Sequence, residues 1–388
     1  MKKRALVYFP AFSKNIGGSE YLAFTIIKAL QGRYDVTLAM SGQSAGIAEA
    51  AKIYGVDADW NRVETVDLRP QGALAKLDRH LKFVWKRRLR KLGRNFDVCI
   101  SCANPVDFGR PGIHFVYMMT FDRYFQAWAQ EWNPKGKWWL RHHLLAFRDW
   151  FACVLAGVRT PRRIVRNPVE VVLPNSNYVR GMIERYYKCK VHEAFYPPTM
   201  FETDLPNSQD RNQIGYIGRM QSEKRIVEMI EIVRQARERS GHDLKFHLAG
   251  VLRNFPYDVR IKDLAGRYPW IVLHGPVTGV GKQKFLSSIA IALHGRKSEE
   301  FGISITEYLK AGVVPLVPKT GGSPEVVDDP DLAYGTDDEA SVLLERLVSD
   351  ETFYLAKLAH DRERAKLFSS AAYLERQKRL LAEMGVVS

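Results

Sequence analysis

An α/β fold in two domains, each built on a parallel sheet, is predicted for this 388-residue chain by three observations. Short apolar runs alternate with amphipathic segments along the whole length, the pattern of βαβ units. The length exceeds what one ordinary α/β core takes and suits two. Near the middle, Tyr196-Pro197-Pro198 is followed by a polar stretch over residues 202–212; paired prolines and a polar run read as a hinge. The boundary is placed near 200, giving a first domain over 1–200, a second over 201–365, and a helical tail over 366–388.

In the first half, residues 5–9, 36–40, 97–101, 113–118 and 169–173 read as strands; in the second, residues 213–217, 245–249, 270–273, 289–293 and 313–317 do. In open parallel sheets ligands sit at the carboxyl ends of the strands, so two such ends are expected to face one cleft.

Apolar and charged residues make up 46% and 26% of the chain, ordinary for a globular protein. No run approaches the ~18–20 apolar residues of a transmembrane helix. The opening Met1-Lys2-Lys3-Arg4-Ala5-Leu6-Val7-Tyr8 has too short an apolar run for a signal peptide and reads as a first strand. Of the four cysteines, Cys99 and Cys102 are spaced as C-x-x-C, but no second pair follows, so zinc is not expected. Cys99 reads as a buried thiol in a strand. A reducing cytoplasm is the expected compartment.

The net charge of +15 is uneven: residues 1–200 hold 32 Lys and Arg against 16 Asp and Glu, and the rest hold 26 against 27. The excess lies in two segments. Residues 74–96 carry Lys76, Arg79, Lys82, Lys86, Arg87, Arg88, Arg90, Lys91 and Arg94, with Leu74, Leu77, Leu81, Val84, Trp85 and Leu89 at helical spacing. Residues 134–168 mix Trp138, Trp139, Phe147, Trp150 and Phe151 with Arg141, Arg148, Arg159, Arg162, Arg163 and Arg166. Basic faces with Trp and Phe suit an anionic membrane surface; apolar stripes packed on a sheet beneath solvated cations suit the same residues. For the first segment the two readings stand level; for the second, core packing is ahead. Nucleic acid is not an expected partner.

The candidate chemistry centres on Glu299 and Glu307, in the stretch from Leu293 through Glu307 to Ala311-Gly312. The pattern is strand, glycine-containing loop, helix, small-residue stop, strand. Glu299 falls in the loop and Glu307 about one turn into the helix, by the ~3.6-residue period. Between them the amides of Phe301, Gly302 and Ile303 open the helix, an anion site with a carboxylate on either side. Carboxylates bind hydroxyls and helix-opening amides bind phosphate; a sugar nucleotide offers both. Some eighty residues earlier, Gly218-Arg219-Met220-Gln221-Ser222-Glu223-Lys224 follows a strand and leads into a helix. With no metal-ligand pattern visible, cations such as Arg219 and Lys224 are the groups to stabilise a departing diphosphate. Ile16-Gly17-Gly18-Ser19-Glu20 follows the first strand; its glycines permit close backbone approach to a phosphate and Ser19 suits an N-cap. Ser176 or Asn177 caps the helix after Leu173-Pro174-Asn175. His294, ending a strand, reads equally as a sugar-pocket residue or a satisfied core histidine.

These motifs resemble the family 4 retaining glycosyltransferases of the GT-B fold: the E-x7-E signature with its following Phe-Gly and Ala-Gly, the G-R-x4-K segment, the N-terminal Gly-Gly loop and the Asn-Ser segment. The resemblance spans nearly the whole chain, tight in the second half and loose in the first. It implies two Rossmann-like domains facing each other across a cleft, the last helix crossing back to the first domain. It further implies metal-independent, anomer-retaining hexosyl transfer from GDP-mannose or a UDP-sugar to a glycan or lipid-linked glycan. No cofactor is implied. Catalysis falls to Arg219, Lys224 and Glu299. Substrate binding falls to Gly17, Gly18, Tyr117, His294, Phe301, Gly302, Ile303 and Glu307. Relatives carry a His at the end of a first-domain strand, facing the donor sugar; here the segment Gly112-Ile113-His114-Phe115-Val116-Tyr117 offers His114 or Tyr117, depending on register. The implied place of action is the cytoplasm, at or near the inner face of the membrane. A GT-B epimerase or synthase, and a non-catalytic basic lipid- or nucleic-acid-binding protein on the same scaffold, are the competing readings.

Overall fold

The computed structural model describes residues 2–387 except 13–17, 43–45, 54, 71–81, 118–120, 130–136, 200, 202–207, 209 and 254. The chain forms two compact units, Met1–Pro197 with Tyr373–Ser388, and Pro198–Ala372.

The first unit holds a six-stranded sheet: β1 (Lys3–Tyr8), β2 (Tyr34–Met40), β3 (Glu64–Asp67), β4 (Val98–Ser101), β5 (Ile113–Val116) and β6 (Val171–Pro174), in the order β3-β2-β1-β4-β5-β6. The second holds β7 (Gln213–Ile217), β8 (Lys245–Ala249), β9 (Ile271–Gly275), β10 (Ile291–Leu293), β11 (Val314–Pro318) and β12 (Ala333–Tyr334), in the order β12-β11-β10-β7-β8-β9. Every pairing is parallel. Each unit thus repeats one doubly wound order, with a switch point between its first and fourth strands. Helices cover both faces of such a sheet, so its central strands are apolar on both sides: Leu6 and Val7 in β1, and Ile291, Ala292 and Leu293 in β10, are fully buried.

Sequence reading located ten strands and missed two, β3 and β12. Both are sheet edges. An edge strand is covered less completely and needs no continuous apolar run: Glu64-Thr-Val-Asp67 is polar and Ala333-Tyr334 is two residues long. Ser176 is the N-cap of the helix Asn177–Tyr187, its hydroxyl accepting from the Val179 amide at 3.1 Å. Ser19 is not a cap. The helix Gly18–Leu30 already includes it, and its hydroxyl donates to Glu20 at 2.9 Å.

Three cations of the first basic segment are tied down. Residues 71–81, with Leu74, Lys76, Leu77, Arg79 and Leu81, lie outside the described residues. In the helix Lys82–Gly93, Leu89 is buried and Trp85 stacks on Tyr8 at 5.7 Å. Lys86 donates to the Cys153 thiol at 3.2 Å, Arg88 to the carbonyls of Leu68 and Arg69, and Arg90 pairs with Asp107 at 3.4 Å. The second segment corrects the core-packing expectation: the helix Lys137–Ala156 turns its large apolar residues to solvent.

Beneath β5 and β6 lies a buried ionic network. Arg159 bridges Asp107 at 2.9 Å and Glu170 at 2.6 Å; Glu170 also accepts from the Gly112 amide at 2.8 Å and lies 2.9 Å from His114 Nε2. Burial alone raises both carboxyl pKa values. Their bonds to Arg159, to backbone amides and, for Glu170, to His114 outweigh it and hold both below the ordinary range. His114 is thereby committed to the interior, stacked on Phe108.

Replacing Arg159 with Met leaves buried Glu170 without its cation and buried Asp107 with Arg90 alone. The variant is expected to lose about 3 kcal/mol in chemical denaturation at neutral pH, the lower end for a broken buried pair. Because the folded pKa values lie below the unfolded ones, this stabilisation is complete above about pH 5 and fades as pH falls through the folded values. The gap between wild type and variant should therefore close on acidification; a gap constant with pH refutes the assignment.

Candidate active site

The second unit builds its site at its switch point. β7 and β10 are neighbours, paired at Ile214 with Ile291 and Gly215 with Ala292. The chain leaves β7 at Ile217 into the loop bearing Arg219 and Lys224, and leaves β10 at Leu293 into the loop bearing Glu299. Two loops far apart in sequence therefore meet at the carboxyl ends of adjacent strands.

Glu299 is buried and surrounded by donors. Lys224 Nζ lies 2.5 Å from its Oε2, Arg296 Nη1 3.3 Å from its Oε1, and His294 Nε2 3.4 Å from Oε2. Burial works to raise its pKa; the His294 contact and the Lys224 and Arg296 charges override this and hold it far below the ordinary carboxylate range. His294 is fully buried, which lowers its pKa despite Glu299. Its Nε2 is at contact distance from Glu299 but outside hydrogen-bond geometry, and its Nδ1 has no partner among the described residues. Its carbonyl accepts from Tyr334 Oη at 2.6 Å. Next to Glu299, Glu300 has its pKa raised by burial, against the pull of Arg296 at 3.3 Å.

Two glycines make this packing possible. A Cβ on Gly295 would stand 2.7 Å from the Lys224 carbonyl, so only glycine lets the two loops touch. Gly321 has φ +85°, and a Cβ there would meet the backbone of Glu299 and Lys297 at 2.9 Å. The loop after β11 therefore braces the Glu299 loop, and the Gly322 amide donates to the Glu299 carbonyl at 2.7 Å. Lys224 is fixed from the other side. It ends a 3-10 turn, Ser222–Lys224, and Arg225 after it adopts φ 57° and is bonded to both oxygens of Asp337 at 3.0 and 2.7 Å.

The helix Ile303–Ala311 follows, with Gly302 as its N-cap residue. Its first amides have no intrahelical acceptor and carry the positive end of the helix dipole. Phe301 is buried edge-on to Phe368. Glu307 lies one turn in and is also buried, but its environment differs from that of Glu299. Burial raises its pKa, opposed only by Lys282, whose Nζ bonds its Oε1. One carboxylate is firmly ionised, and the other is poised higher. Tyr308, beside it, accepts from the Ile217 amide at 2.9 Å and so ties this helix to the end of β7.

Of the sequence-predicted residues, Lys224 and His294 both contact Glu299, with Phe301, Gly302, Ile303 and Glu307 following along the chain. Arg219 is exposed on the same loop as Lys224 and forms no ion pair among the described residues; its carbonyl accepts from Tyr216. Gly17 lies outside the described residues, and Gly18 opens its helix in the first unit. Tyr117, not His114, stands just past the carboxyl end of β5. Its hydroxyl is buried without a partner among the described residues, and burial raises its pKa well above the usual value. Sequence reasoning missed Lys282, Arg296, Glu300 and Gly321. Lys282 sits on another helix with no spacing rule linking it to Glu307. Arg296 was legible as a cation three residues before a buried acid. Among the described residues no group of His, Cys, Asp or Glu is placed to hold a metal ion.

Residues 201–367 match the family model for glycosyl transferases group 1. A mouse GDP-Man:Man(3)GlcNAc(2)-PP-Dol alpha-1,2-mannosyltransferase is 26% identical over 170 residues, 39% of this chain; the match spans only 35% of that protein's length. Among solved structures, Anabaena Alr3699/HepE in complex with UDP and glucose aligns over 98% of this chain and 99% of its own, with a TM-score of 0.65 and 13% identity. WaaG, a glycosyltransferase involved in lipopolysaccharide biosynthesis, aligns over 96% and 98%, with a TM-score of 0.64 and 12% identity. The sucrose-phosphate synthase of Thermosynechococcus elongatus aligns over the whole of both chains, with a TM-score of 0.64 and 13% identity. At these identities the likeness shows the fold, and the fold of the two sheets is that of the GT-B glycosyltransferases.

Proposed function

We propose that the chain is a retaining glycosyltransferase that moves a hexose from a nucleotide diphosphate sugar, GDP-mannose or a UDP-sugar, to a glycan or lipid-linked glycan. The observation that carries this reading is the ionised Glu299 held against Lys224 and His294 at the switch point, immediately before a helix N-terminus. Anion-binding amides, a cation and two dissimilar carboxylates within one stretch suit a diphosphate flanked by two polyols. The family match over residues 201–367 supports it, as do the donor named for the mouse relative and the UDP and glucose held by the Anabaena protein.

In this reading Arg219, Lys224 and the amides of Phe301, Gly302 and Ile303 face the diphosphate. Glu307 takes ribose hydroxyls; Glu299 and His294 take hydroxyls of the hexose. Gly17 and Gly18 approach the donor phosphate and the acceptor, and Tyr117 takes the position where relatives carry a His. The bond from the sugar C1 to the phosphate oxygen breaks, its electron pair leaving with the phosphate. The acceptor hydroxyl oxygen bonds C1 on the same face, and its proton passes to the departing phosphate. No protein nucleophile is needed, and the cations stabilise the charge that grows on the leaving group.

Lys224→Ala is expected to lower kcat by ~10²-fold, the scale of one lost charge-stabilising donor, with a smaller change in KM. Near-normal turnover of the purified variant overturns the role.

The glutamates divide by calorimetry with nucleoside diphosphate. Glu307→Gln and Lys282→Met should each weaken binding about tenfold, because the lysine holds the carboxylate that grips ribose. Glu299→Gln should bind the diphosphate normally yet turn over slowly. Equal affinity losses at Glu299 and Glu307 refute the division.

Activity should persist in EDTA. Complete loss restored by Mg²⁺ or Mn²⁺ counts against cation stabilisation by side chains alone.

A further inference from the structure

The helix Lys137–Ala156 is amphipathic with its large apolar side outward. Trp139, Leu140, Leu144, Phe147, Trp150 and Phe151 are exposed, Leu144 by 58% and Phe147 by 56%, and Val154 and Leu155 continue the row. At ~100° per residue these side chains fall within an arc of about 160°. The helix residues buried toward the body of the unit are His142 and the small Ala146, Cys153 and Ala156, and Cys153 receives the Lys86 ammonium. Exposed Tyr124, on the helix Arg123–Ala129, extends the apolar surface through its contact with His143. The result is a convex apolar ridge ~24 Å long. A surface of this extent on a globular protein marks something that covers it.

Beside the ridge opens a cavity of about 670 Å³, lined by Trp150 of the same helix and by Arg162, Arg163 and Arg166. None of these three guanidiniums forms an ion pair with a described residue. The acids of the cavity are already engaged: Asp149 by Arg123 at 2.8 Å and Arg148 at 2.9 Å, Asp122 by Tyr187 Oη at 2.9 Å. The cavity is contiguous with a smaller one of about 280 Å³, sharing Lys86, Phe121 and Arg123. That one reaches Tyr8 and Asn104, at the carboxyl ends of β1 and β4, the switch point of the first sheet.

We propose that the helix Lys137–Ala156 lies on an anionic lipid bilayer, its aromatic and leucine ridge in the headgroup–acyl boundary, while Arg162, Arg163 and Arg166 take a lipid phosphate at the mouth of the cavity. A convex ridge suits a deformable medium better than a preformed groove, and Trp, Phe and Leu beside arginines are the composition of interfacial helices. The surrounding half of the chain has the matching sign, with 32 Lys and Arg against 16 Asp and Glu over residues 1–200. No helix among the described residues is long and apolar enough to cross a membrane, so the helix lies along the surface. The inference is independent of the transferase reading.

The test is flotation of the full chain with phosphatidylcholine vesicles, with and without phosphatidylglycerol, at low and high salt. Wild type should float with the anionic vesicles. It should weaken at 1 M salt, where the Debye length is ~3 Å, without releasing fully, because apolar insertion is not screened. Arg162→Ser/Arg163→Ser/Arg166→Ser should lose the preference for phosphatidylglycerol, about 100-fold at roughly fivefold per cation. Leu144→Ser/Phe147→Ser/Phe151→Ser should not float at either salt. Brominated acyl chains should quench wild-type tryptophan fluorescence, and Trp139→Phe/Trp150→Phe should remove that quenching; this readout needs no change to the rest of the ridge. Wild type that ignores anionic vesicles overturns the proposal, and a dimer in sedimentation that the serine variant dissolves would then assign the ridge to a second copy. An arginine variant with unchanged lipid preference overturns the headgroup site, and a serine variant that still floats overturns the helix.

Discussion

The contact of Lys224 with Glu299 organises the second unit's site. A carboxylate taken out of water is costly unless cations and hydrogen-bond donors replace the lost hydration. Glu299 meets that condition only because three separate pieces of chain converge on it: the loop after β7 brings Lys224, the end of β10 brings His294 and Arg296, and the loop after β11 braces the backbone through Gly321 and Gly322. Each piece leaves the carboxyl end of a neighbouring strand, so sheet order is the precondition for the charge cluster. The closeness also explains the glycines. Gly295 must lack a Cβ because the Lys224 carbonyl occupies its place, and Gly321 because the Glu299 backbone does.

The two glutamates of the motif show how one residue type is given two characters. Glu299 touches three nitrogen groups and stays ionised against its burial. Glu307 touches Lys282, and burial prevails. Their separation along the chain does not reveal this difference, which arises from the elements packed beside them. The same holds for the histidines. His294 and His114 are both buried at strands, yet the Nε2 of His114 is hydrogen-bonded to Glu170 in the interior, while neither ring nitrogen of His294 has a hydrogen-bond partner among the described residues.

Legibility in the sequence followed the physics of burial. Ten of twelve strands were visible because an apolar run marks them; of the four edges, β6 and β9 keep such a run, while polar β3 and two-residue β12 do not and escaped notice. The acid loop and its cation were visible because loop, glycine and helix punctuate one another at fixed spacing. Lys282 was not, because a contact between two helices leaves no spacing rule. Ser19 was misread because a serine after paired glycines fits an N-cap equally well one position earlier or later.

The helix Lys137–Ala156 is the instructive error. Its aromatics mixed with arginines read with core packing ahead of a membrane surface, since apolar stripes usually go to the core. Periodicity reports that a stripe exists; it does not report what covers it. The discriminating signal was the size of the residues on the other side. A helix that buries its large apolar side against a sheet presents charged and polar residues outward, whereas here the buried residues opposite the stripe are Ala146, Cys153 and Ala156, all small, with His142. Small side chains inward and large ones outward cost the folded unit the burial that a reversed helix would have gained, about 25 cal/mol for each Å² left in water. A sequence retains that arrangement where the large side chains are covered by something outside the chain. Arg162, Arg163 and Arg166 beside the ridge, which form no ion pair with a described residue, give that covering surface its sign.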